Sequence, residues 1–377
     1  MKKNRLLVTG GAGFIGVNAA RRFLEENWEV TVWDNLVRRG ADKNLEWLRQ
    51  FGPVQFAKMD LRCEKDVVRH LQGGHFDMVL HCAAQVAVTT SVANPRYDLE
   101  NNLLATFNLL EGVRQFCPRA FFIFASTNKV YGGMEQSRIV ERNGRYEWAN
   151  LPKGVSEKQP LDFHSPYGCS KGAADQYVHD YSRIYGLATT CFRQSCIYGY
   201  RQFGMEDQGW VAWFLIAHAL GRPITIFGDG KQTRDILFID DLIDAYRLAW
   251  ENREKVAGCV YNIGGGPQNQ FSLKELLQIL ESETGRRVEL SFAQARPGDQ
   301  KVFVADISKA FDDFGWRPVC SPKEGIRKLN EWVTGNLELF EDLVPPRQSG
   351  RVIAPPLVPP SYETTAVTGV GLGLQHP

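Results

Sequence analysis

The sequence predicts an α/β fold, in which a doubly wound parallel sheet is followed by a smaller α/β lobe. Runs rich in Val, Ile and Phe alternate with stretches of helical spacing, and most of these runs are continuously apolar. Strands that are buried on both faces show this pattern, because helices cover both sides of a parallel sheet. After Tyr198 the strands and helices become shorter, which indicates a second lobe.

The first part of the chain supplies the strands of the large sheet. Strands are predicted at residues 5–8, 30–33, 54–58, 78–81, 120–125 and 188–192, and the clearest helices at 16–26, 97–114 and 166–185. Strands that alternate with helices form parallel sheets. We therefore expect residues 1–195 to form the first domain.

The second lobe is expected at residues 196–340, although some of its segments can return to the first domain. Short strands are predicted at residues 224–227, 260–263 and 289–292. Ser272 and Ser321 are each followed three residues later by Glu, the pattern of a helix capping box. Residues 341–377 contain 7 of the 18 prolines, and we expect this tail to be disordered because it cannot bury enough surface.

Charge and hydropathy exclude several classes of protein. With 44 Lys and Arg against 43 Asp and Glu, the net charge of +1 gives no reason to expect nucleic acid or a membrane as partner. No apolar segment approaches the roughly 20 residues of a membrane span or resembles a signal peptide. The eight cysteines include no Cys-x-x-Cys pair, which favours reduced thiols in a cytoplasmic protein over disulfides or a metal site. The expected ligand is a small molecule.

A glycine-rich turn joins the first strand to the first helix, with the sequence Thr9-Gly10-Gly11-Ala12-Gly13-Phe14-Ile15-Gly16. Gly10 permits the tight turn, Gly13 lets the backbone approach a pyrophosphate, and Gly16 lets helix and strand pack closely. About 20 residues later, a strand end carries a carboxylate suited to ribose hydroxyls, in Trp33-Asp34-Asn35. The glycines alone also fit an ordinary turn, but the combination predicts a Rossmann-type dinucleotide site.

The carboxylate of Asp34 favours NAD over NADP, because its charge repels a 2′-phosphate. Arg38 and Arg39 follow closely and are able to hold such a phosphate. We nevertheless give the acid at the strand end more weight, and predict NAD. Asp60 and Leu61 follow the third strand and are expected at the adenine edge. The alternative for Asp60 is a helix N-cap.

Tyr167 and Lys171 lie four residues apart on a predicted helix and hence on one face. Ionising a phenol of pKa near 10 at neutral pH costs about 4 kcal/mol, which a neighbouring ammonium and a positive nicotinamide ring would offset. Tyr167 is then able to act as a general base on a sugar hydroxyl. The polar run Ser126-Thr127-Asn128-Lys129-Val130-Tyr131-Gly132 follows the fifth strand, at the edge where ligands bind. An exposed helix pair and an ordinary turn are the alternatives for the two patterns.

These motifs together resemble those of the extended short-chain dehydrogenases/reductases, in the nucleotide-sugar epimerase/dehydratase superfamily, over about residues 5–335. Besides the segments above, the matches are His81-Cys82-Ala83-Ala84, Asn102 with Thr106, Phe227-Gly228-Asp229-Gly230 with Arg234-Asp235, and Arg296-Pro297-Gly298-Asp299. The resemblance implies a tightly held NAD that takes a hydride from one sugar carbon and returns it to the other face. It also implies a homo-oligomer, a dimer or tetramer formed through helices of the first domain.

The resemblance also assigns roles to particular residues. Thr127 matches the catalytic hydroxyl, Tyr167 the base, and Lys171 the residue that holds Tyr167 and the nicotinamide ribose. Arg234 and Arg296 match arginines that grip the diphosphate of a nucleotide-sugar substrate. The cofactor site is expected to include Ala83, Ala84, Asn102, Tyr167 and Lys171 as well.

The residues after Thr127 separate the activities of the superfamily. Dehydratases place Asp-Glu there, whereas this chain has Asn128-Lys129, so the acid and base that eliminate water are missing. This segment, the long insert after it and Gln208-Gly209-Trp210 resemble the branch that inverts C2 of a CDP-linked 3,6-dideoxyhexose, converting CDP-paratose to CDP-tyvelose. Asn128 and Gln208 are expected at the substrate. The alternatives are a UDP-hexose 4-epimerase, and an NAD-sensing regulator, which usually lacks the Tyr/Lys pair.

The insert itself predicts a β-hairpin. Residues 138–142 and 145–148 flank Asn143-Gly144, a strong signal for a two-residue turn. Because the insert lies between Thr127 and Tyr167, it either covers the substrate or has a purely structural role.

Overall fold

The computed structural model describes residues 3–296 and 299–340. The predicted disordered tail, residues 341–377, lies outside the described residues, and so do Pro297 and Gly298 of the 296–299 motif. The strands in chain order are β1 (Arg5–Thr9), β2 (Glu29–Asp34), β3 (Val54–Lys58), β4 (Met78–His81), β5 (Phe121–Thr127), β6 (Ile139–Arg142), β7 (Arg145–Trp148), β8 (Thr189–Gln194), β9 (Cys196–Tyr198), β10 (Ile224–Phe227), β11 (Thr233–Phe238), β12 (Cys259–Ile263), β13 (Gln270–Ser272), β14 (Leu290–Ala293) and β15 (Val302–Phe303).

The helices connect these strands. They are α1 (Phe14–Glu25), α2 (Ala41–Leu48), α3 (Glu64–Leu71), α4 (Val88–Ala93), α5 (Pro95–Leu99), α6 (Ala105–Phe116), α7 (Ser165–Tyr185), α8 (Trp210–Ala219), α9 (Ile239–Glu251), α10 (Arg253–Val256), α11 (Leu273–Thr284), α12 (Ser308–Phe314) and α13 (Pro322–Thr334). A π-helical turn spans Glu100–Leu104, and 3₁₀ turns span Arg49–Phe51, Asn128–Tyr131, Pro267–Asn269 and Leu337–Leu339.

Within the described residues, the large sheet consists of seven parallel strands in the order β12-β8-β5-β4-β1-β2-β3. This order confirms the predicted doubly wound fold. The chain reverses direction across the sheet between β1 and β4, so a crevice opens at the carboxyl ends of these strands, where such sheets bind ligands.

The two faces of the sheet explain the continuously apolar strands. In β1, Leu6 and Val8 pack into one core with α1 and α9, whereas Leu7 packs into a second core with α3, α6 and α7. All three side chains are fully buried. Successive side chains of a strand point to opposite faces, so both faces need apolar residues when helices cover both.

The glycine-rich turn between β1 and α1 depends on two close approaches. Gly10 has a φ of +66°, and a Cβ atom there would lie 2.6 Å from the backbone nitrogen of Ala83. A Cβ atom on Gly16 would lie 2.3 Å from the carbonyl oxygen of Gly10. Larger residues would therefore separate α1 from the sheet and close the crevice.

The helix predicted at residues 97–114 is divided into α5, the π-helical turn and α6. The π-helical turn contains Asn102, whose amide is fully used inside the protein. Its Oδ1 accepts from the backbone N–H of Gln85 at 2.8 Å, and its Nδ2 donates to Asp98 and Ser170. Asn102 therefore joins the segment after β4 to helix α7.

The second half of the chain forms smaller sheets, and one of its strands returns to the large sheet. β10 pairs with β14 in parallel, and β11 pairs with β9, β13 and β15. The strand predicted at residues 260–263, which the sequence analysis groups with the second lobe, is β12 and pairs with β8. It extends the edge of the large sheet because its apolar residues, including Tyr261 and Ile263, complete the core below that edge. The remaining assignment of the lobe to residues 196–340 stays a prediction.

The insert after Thr127 contains the predicted hairpin. β6 and β7 pair in antiparallel fashion around Asn143 and Gly144, which both have positive φ as a type I′ turn requires. The hydroxyl of Tyr146 donates to Asp229 at 2.6 Å, and Lys231 pairs with Glu141 at 2.7 Å. These contacts attach the hairpin to the loop between β10 and β11, and no hairpin residue lines either of the cavities described below. The contacts therefore support the structural role and not that of a substrate cover.

The described residues, 3–296 and 299–340, contain neither a membrane-spanning helix nor a metal-binding cluster. No helix there is both long enough and apolar enough to cross a membrane. No group of three or more His, Cys, Asp or Glu residues there is arranged to hold a metal ion.

Candidate active site

A cavity of about 340 Å³, here called the cofactor cavity, opens at the carboxyl ends of β1, β2 and β4. Eleven residues expected at NAD line it: Gly10, Gly13, Phe14, Ile15, Gly16, Asp34, Asn35, Asp60, Leu61, Ala83 and Ala84. Helix α1 begins at this cavity, with Gly13 as its N-cap and no side chain that caps its first turn. The positive end of a helix and its unpaired N–H groups favour a pyrophosphate at this position.

Asp34 ends β2 at the wall of the cofactor cavity. Its Oδ2 accepts from the backbone N–H of Ala12 at 3.0 Å, and its Oδ1 accepts from that of Leu36 at 2.8 Å. Burial raises the pKa of Asp34, while these backbone hydrogen bonds act in the opposite direction. The carboxylate is thus fixed by the glycine turn and retains lone pairs for ribose hydroxyls, so the residues present fit NAD.

Asp60 lies on the same wall and is not a helix N-cap. Helix α3 starts at Glu64 with Cys63 at the cap position. Asp60 accepts from Arg62 at 2.7 Å and from the side chain of Asn35 at 3.3 Å. The hydrogen bond from Arg62 lowers the pKa of Asp60, so this carboxylate stays ionised beside the cavity.

Asn102 and Lys171 are expected at the cofactor but line neither cavity. Asn102 is buried and has no free amide atom, as described above. The Nζ of Lys171 donates to the carbonyl oxygen of Ala125 at 2.7 Å and lies 4.0 Å from the ring centre of Phe124. Burial lowers the pKa of Lys171 to about 8. Its ammonium is therefore held at the backbone of β5, on the residue two positions before Thr127.

A second cavity of about 330 Å³, here called the substrate cavity, contains the predicted reaction centre. Thr127 at the end of β5 and Tyr167 in the first turn of α7 both line it and are both buried. Burial raises the pKa of Tyr167 to about 12, and a hydrogen bond with the Thr127 hydroxyl opposes this rise. The structure thus brings together a hydroxyl and a phenol that are 40 residues apart in sequence.

The four residues predicted at the substrate also line this cavity: Asn128, Gln208, Arg234 and Arg296. The Nη2 of Arg234 pairs with Asp299 at 3.0 Å and donates to the carbonyl oxygen of Gln300 at 2.6 Å. The guanidinium of Arg296 lies 3.7 Å from the ring centre of Phe227. These contacts fix both arginines on the wall of the cavity, and two planar cations suit a diphosphate.

Gln208 differs from its predicted role in one respect, because it lines both cavities. The neighbouring Asp207 accepts from the hydroxyl of Thr89 at 2.7 Å, which attaches this loop to α4. The partly buried side chain of Arg38, on the cofactor side, interacts electrostatically with Asp207. The loop therefore contacts both cavities.

Several functional residues are missed by reasoning from the sequence. Ser126 at the end of β5 donates to Asp175 of α7 at 2.6 Å, and Asp175 pairs with Arg193 of β8 at 2.8 Å in the buried interior. Asp175 lies four residues after Lys171, so the helical spacing could have identified it. Lys129 lies in the polar run after β5 and also lines the substrate cavity.

Comparison with known proteins shows the family of this chain. The model of a family described as the NAD dependent epimerase/dehydratase family matches residues 6–264. The CDP-paratose 2-epimerase of Salmonella typhi is 45% identical over 335 residues, which cover 88% of this chain and 99% of that protein. A putative UDP-glucose 4-epimerase of Methanocaldococcus jannaschii is 34% identical over 333 residues, with coverages of 88% and 99%.

Solved structures show the same likeness. The crystal structure of a UDP-glucose 4-epimerase from Thermotoga maritima with UDP-glucose has a TM-score of 0.76 and 31% identity. The match covers 88% of this chain and 99% of that one. The Thermus thermophilus UDP-glucose 4-epimerase in complex with NAD has a TM-score of 0.74 and 33% identity, with the same coverages. The chain therefore belongs to the NAD dependent epimerase/dehydratase family.

Proposed function

We propose that this chain is an NAD-dependent epimerase that inverts C2 of a CDP-linked 3,6-dideoxyhexose and so converts CDP-paratose to CDP-tyvelose. The observation that carries this proposal is the 45% identity to a CDP-paratose 2-epimerase over 99% of that protein's length. The paired hydroxyl and phenol of Thr127 and Tyr167 in the substrate cavity support it.

The residues of the substrate cavity account for the proton movements of this reaction. Tyr167 takes the proton of the C2 hydroxyl, and Thr127 hydrogen-bonds the same oxygen. In this proposal the ammonium of Lys171, which lies on the next turn of α7 and is hydrogen-bonded to the carbonyl oxygen of Ala125, contributes the positive charge that favours the phenolate. NAD, when bound in the cofactor cavity, supplies the reversible hydride acceptor. After the 2-keto sugar has rotated, Tyr167 returns its proton to the oxygen at the inverted carbon.

The same cavity disfavours dehydration. Elimination of water needs an acid and a base beside the reacting carbons, and the two positions after Thr127 hold the amide of Asn128 and the ammonium of Lys129. Asn128 is buried and lines the cavity, where its amide is able to hydrogen-bond the ketone in one of its two orientations. Unchanged activity of an Asn128→Ala variant would remove this role.

A UDP-hexose 4-epimerase is the second candidate, because structures of such enzymes superpose on this chain with TM-scores of 0.74 to 0.76. Purified protein should be offered CDP-paratose and UDP-galactose in parallel, with the products identified by proton NMR. We expect inversion of CDP-paratose alone. Turnover of UDP-galactose without that of CDP-paratose would assign the chain to the 4-epimerases.

The chemical route is tested by running the reaction in D₂O. Transient oxidation returns the same hydride to the carbon, so no solvent deuterium should appear at C2. Deuterium at C2 would instead indicate removal of a proton next to a carbonyl group.

We also propose that the chain forms a homo-oligomer through α6 and α7. These adjacent helices expose Phe107, Tyr177, Ile184 and Tyr185, with between 37% and 65% of each residue accessible. The rings of Phe107 and Tyr177 contact each other at 5.9 Å, so the patch is continuous between the helices. Light scattering should give a dimer or tetramer, and Tyr177→Glu should dissociate it. A monomeric wild-type protein would exclude this interface.

We propose a cytoplasmic location as well. All eight cysteines lie in the described residues and all are free thiols. A reducing compartment maintains such thiols. Cell fractionation with an antibody against the chain would test this location.

A further inference from the structure

Lys129 is a cation of the substrate cavity that has no carboxylate partner. It lies on the 3₁₀ turn Asn128–Tyr131, and its side chain is partly buried in the cavity wall. No ion pair or hydrogen bond of its ammonium occurs within residues 3–296 and 299–340. Asp299, the carboxylate that acts electrostatically on Lys129, forms its ion pair with Arg234 instead. By contrast, Lys231 on the outside of the lobe pairs with Glu141.

In the protein without substrate, this placement of a positive charge is energetically unfavourable. Burial and, to a smaller extent, the charge of Arg234 lower the pKa of Lys129 to about 8, while Asp299 acts in the opposite direction. A partly buried cation next to another cation gains most from an anion that enters the cavity. The position of Lys129 is therefore suited to an anionic part of the substrate.

The location of Lys129 indicates which anionic group of the substrate it would contact. Its backbone N–H donates to the hydroxyl oxygen of Thr127 at 3.3 Å, which ties the residue to the reaction centre. Arg234 and Asp299 line the same cavity and act electrostatically on its ammonium, and Arg234 is expected to hold the diphosphate. Lys129 thus lies between the reacting end and the diphosphate end.

Only a short distance separates these two ends in the proposed substrate. C2 is bonded to C1, and C1 carries the oxygen of the sugar-proximal phosphate. When C2 lies at Thr127 and Tyr167, that phosphate must lie close by, whereas a reacting C4 would lie across the ring from it. A cation two residues from Thr127 is therefore at the correct place for a C2 reaction.

We propose that Lys129 binds the sugar-proximal phosphate of the substrate, as a third cationic contact beside Arg234 and Arg296. The proposal rests on the proposed function, because it uses the closeness of C2 to the phosphate. By fixing this phosphate, Lys129 fixes the point about which the keto sugar rotates. It is a substrate-binding residue and does not take part in proton transfer.

The test compares two nucleotides on the NAD-loaded enzyme. CDP contains the phosphate in question and CMP lacks it. In calorimetric titrations, Lys129→Met should weaken CDP binding roughly 10- to 100-fold, as expected for a hydrogen bond to a charged group, and should change CMP binding less than about 3-fold. Lys129→Arg should restore most of the CDP affinity. The matched control Lys231→Met should leave both affinities unchanged.

Two outcomes would overturn the proposal. Equal losses for CDP and CMP would place Lys129 at the nucleoside or the inner phosphate, and unchanged CDP affinity would show that it binds no phosphate. NAD content and the unfolding temperature of each variant show whether it is folded. The proposed function is tested by a different experiment: it fails if the wild-type enzyme leaves CDP-paratose unchanged. The titrations measure nucleotide binding alone, so their failure is distinguishable from this one.

Discussion

The hydroxyl of Ser126 donates to the carboxylate of Asp175 at 2.6 Å and thereby joins the end of β5 to helix α7. Ser126 directly precedes Thr127, and Asp175 lies one turn beyond Lys171. Asp175 also pairs with Arg193 of β8, and both side chains are at most 4% exposed. The two elements that carry the proposed catalytic residues are thus held in register by one buried carboxylate.

Replacement of this carboxylate should destabilise the fold strongly. Asp175→Asn leaves the guanidinium of Arg193 buried without a counter-charge, so the free energy of unfolding should fall by about 3–5 kcal/mol. Ser126→Ala should cost about 1–3 kcal/mol, because it leaves one hydrogen bond of the carboxylate unmade. Denaturant titration measures both. Asp180→Asn, which removes an exposed ion pair with Arg183 on the same helix, should change stability by less than about 1 kcal/mol. A similar effect of the Asp175 and Asp180 variants would contradict the role of the buried pair.

The phenol of Tyr167 should matter for the rate and not for the fold. Tyr167→Phe keeps the ring but removes the proton-transfer group, so kcat should fall by about 10² to 10⁴. NAD content should be unchanged, because the cofactor cavity does not include this residue. Tyr177→Phe, in the exposed part of the same helix, is the control. Full activity of Tyr167→Phe would require another base.

The charge of Asp34 should determine the choice of cofactor. Asp34→Asn removes the repulsion of a 2′-phosphate and weakens the hydrogen bonds to the ribose, so the affinity for NAD relative to NADP should fall roughly 10- to 100-fold. Fluorescence titration of cofactor-free enzyme measures the two affinities. Asp42→Asn, an exposed carboxylate in α2, should leave the ratio unchanged. An unchanged ratio in Asp34→Asn would assign the selectivity to other residues.

His81 should make the protein sensitive to acid. It is fully buried, and its Nδ1 and Nε2 contact the hydroxyls of Thr9 at 2.7 Å and Thr106 at 2.9 Å. Because the Thr106 hydroxyl donates to a backbone carbonyl, it accepts from Nε2, and Nδ1 accepts from Thr9. Both ring nitrogens of the neutral imidazole are therefore satisfied.

Burial, with the charge of Lys171, lowers the pKa of His81 from 6.5 to about 3. Between these values the unfolded chain binds a proton that the folded protein does not, so stability is lost as the pH falls below 6.5. From pH 7 to pH 5 the loss from this residue should be about 2 kcal/mol. Unfolding curves at both pH values for the wild type and His81→Gln measure it. An equal pH dependence in the two proteins would show that His81 is not responsible.

Much of the fold and of the cofactor site follows from local sequence patterns. The strands β1, β3, β4 and β10 match their predicted positions to within a residue, and the hairpin forms around Asn143-Gly144 as predicted. The glycine turn and Asp34 lie together because consecutive strands of a doubly wound sheet are neighbours. Patterns that depend on spacing along one helix, such as Tyr167 with Lys171, also remain on one element.

Other features depend on contacts between distant segments. The sequence does not indicate that β12 crosses back to the large sheet, since a short apolar strand fits either lobe. The amide of Asn102 matches a cofactor motif, but packing against Gln85, Asp98 and Ser170 uses all of its hydrogen-bonding atoms. The hairpin is readable in sequence, whereas its attachment to Asp229 and Lys231 is not.

The sequence by itself determined the doubly wound sheet and the dinucleotide turn, because periodicity and local spacing encode them. Its family resemblance proposed Thr127, Tyr167 and Lys171 as catalytic residues, which remains a prediction. Only the tertiary structure decided that Lys129 faces Arg234 and Asp299 without a carboxylate of its own, and that Asp175 joins β5, α7 and β8. These relationships depend on burial and charge across segments that are 18 or more residues apart, and no local pattern records which side chains will share one low-dielectric space.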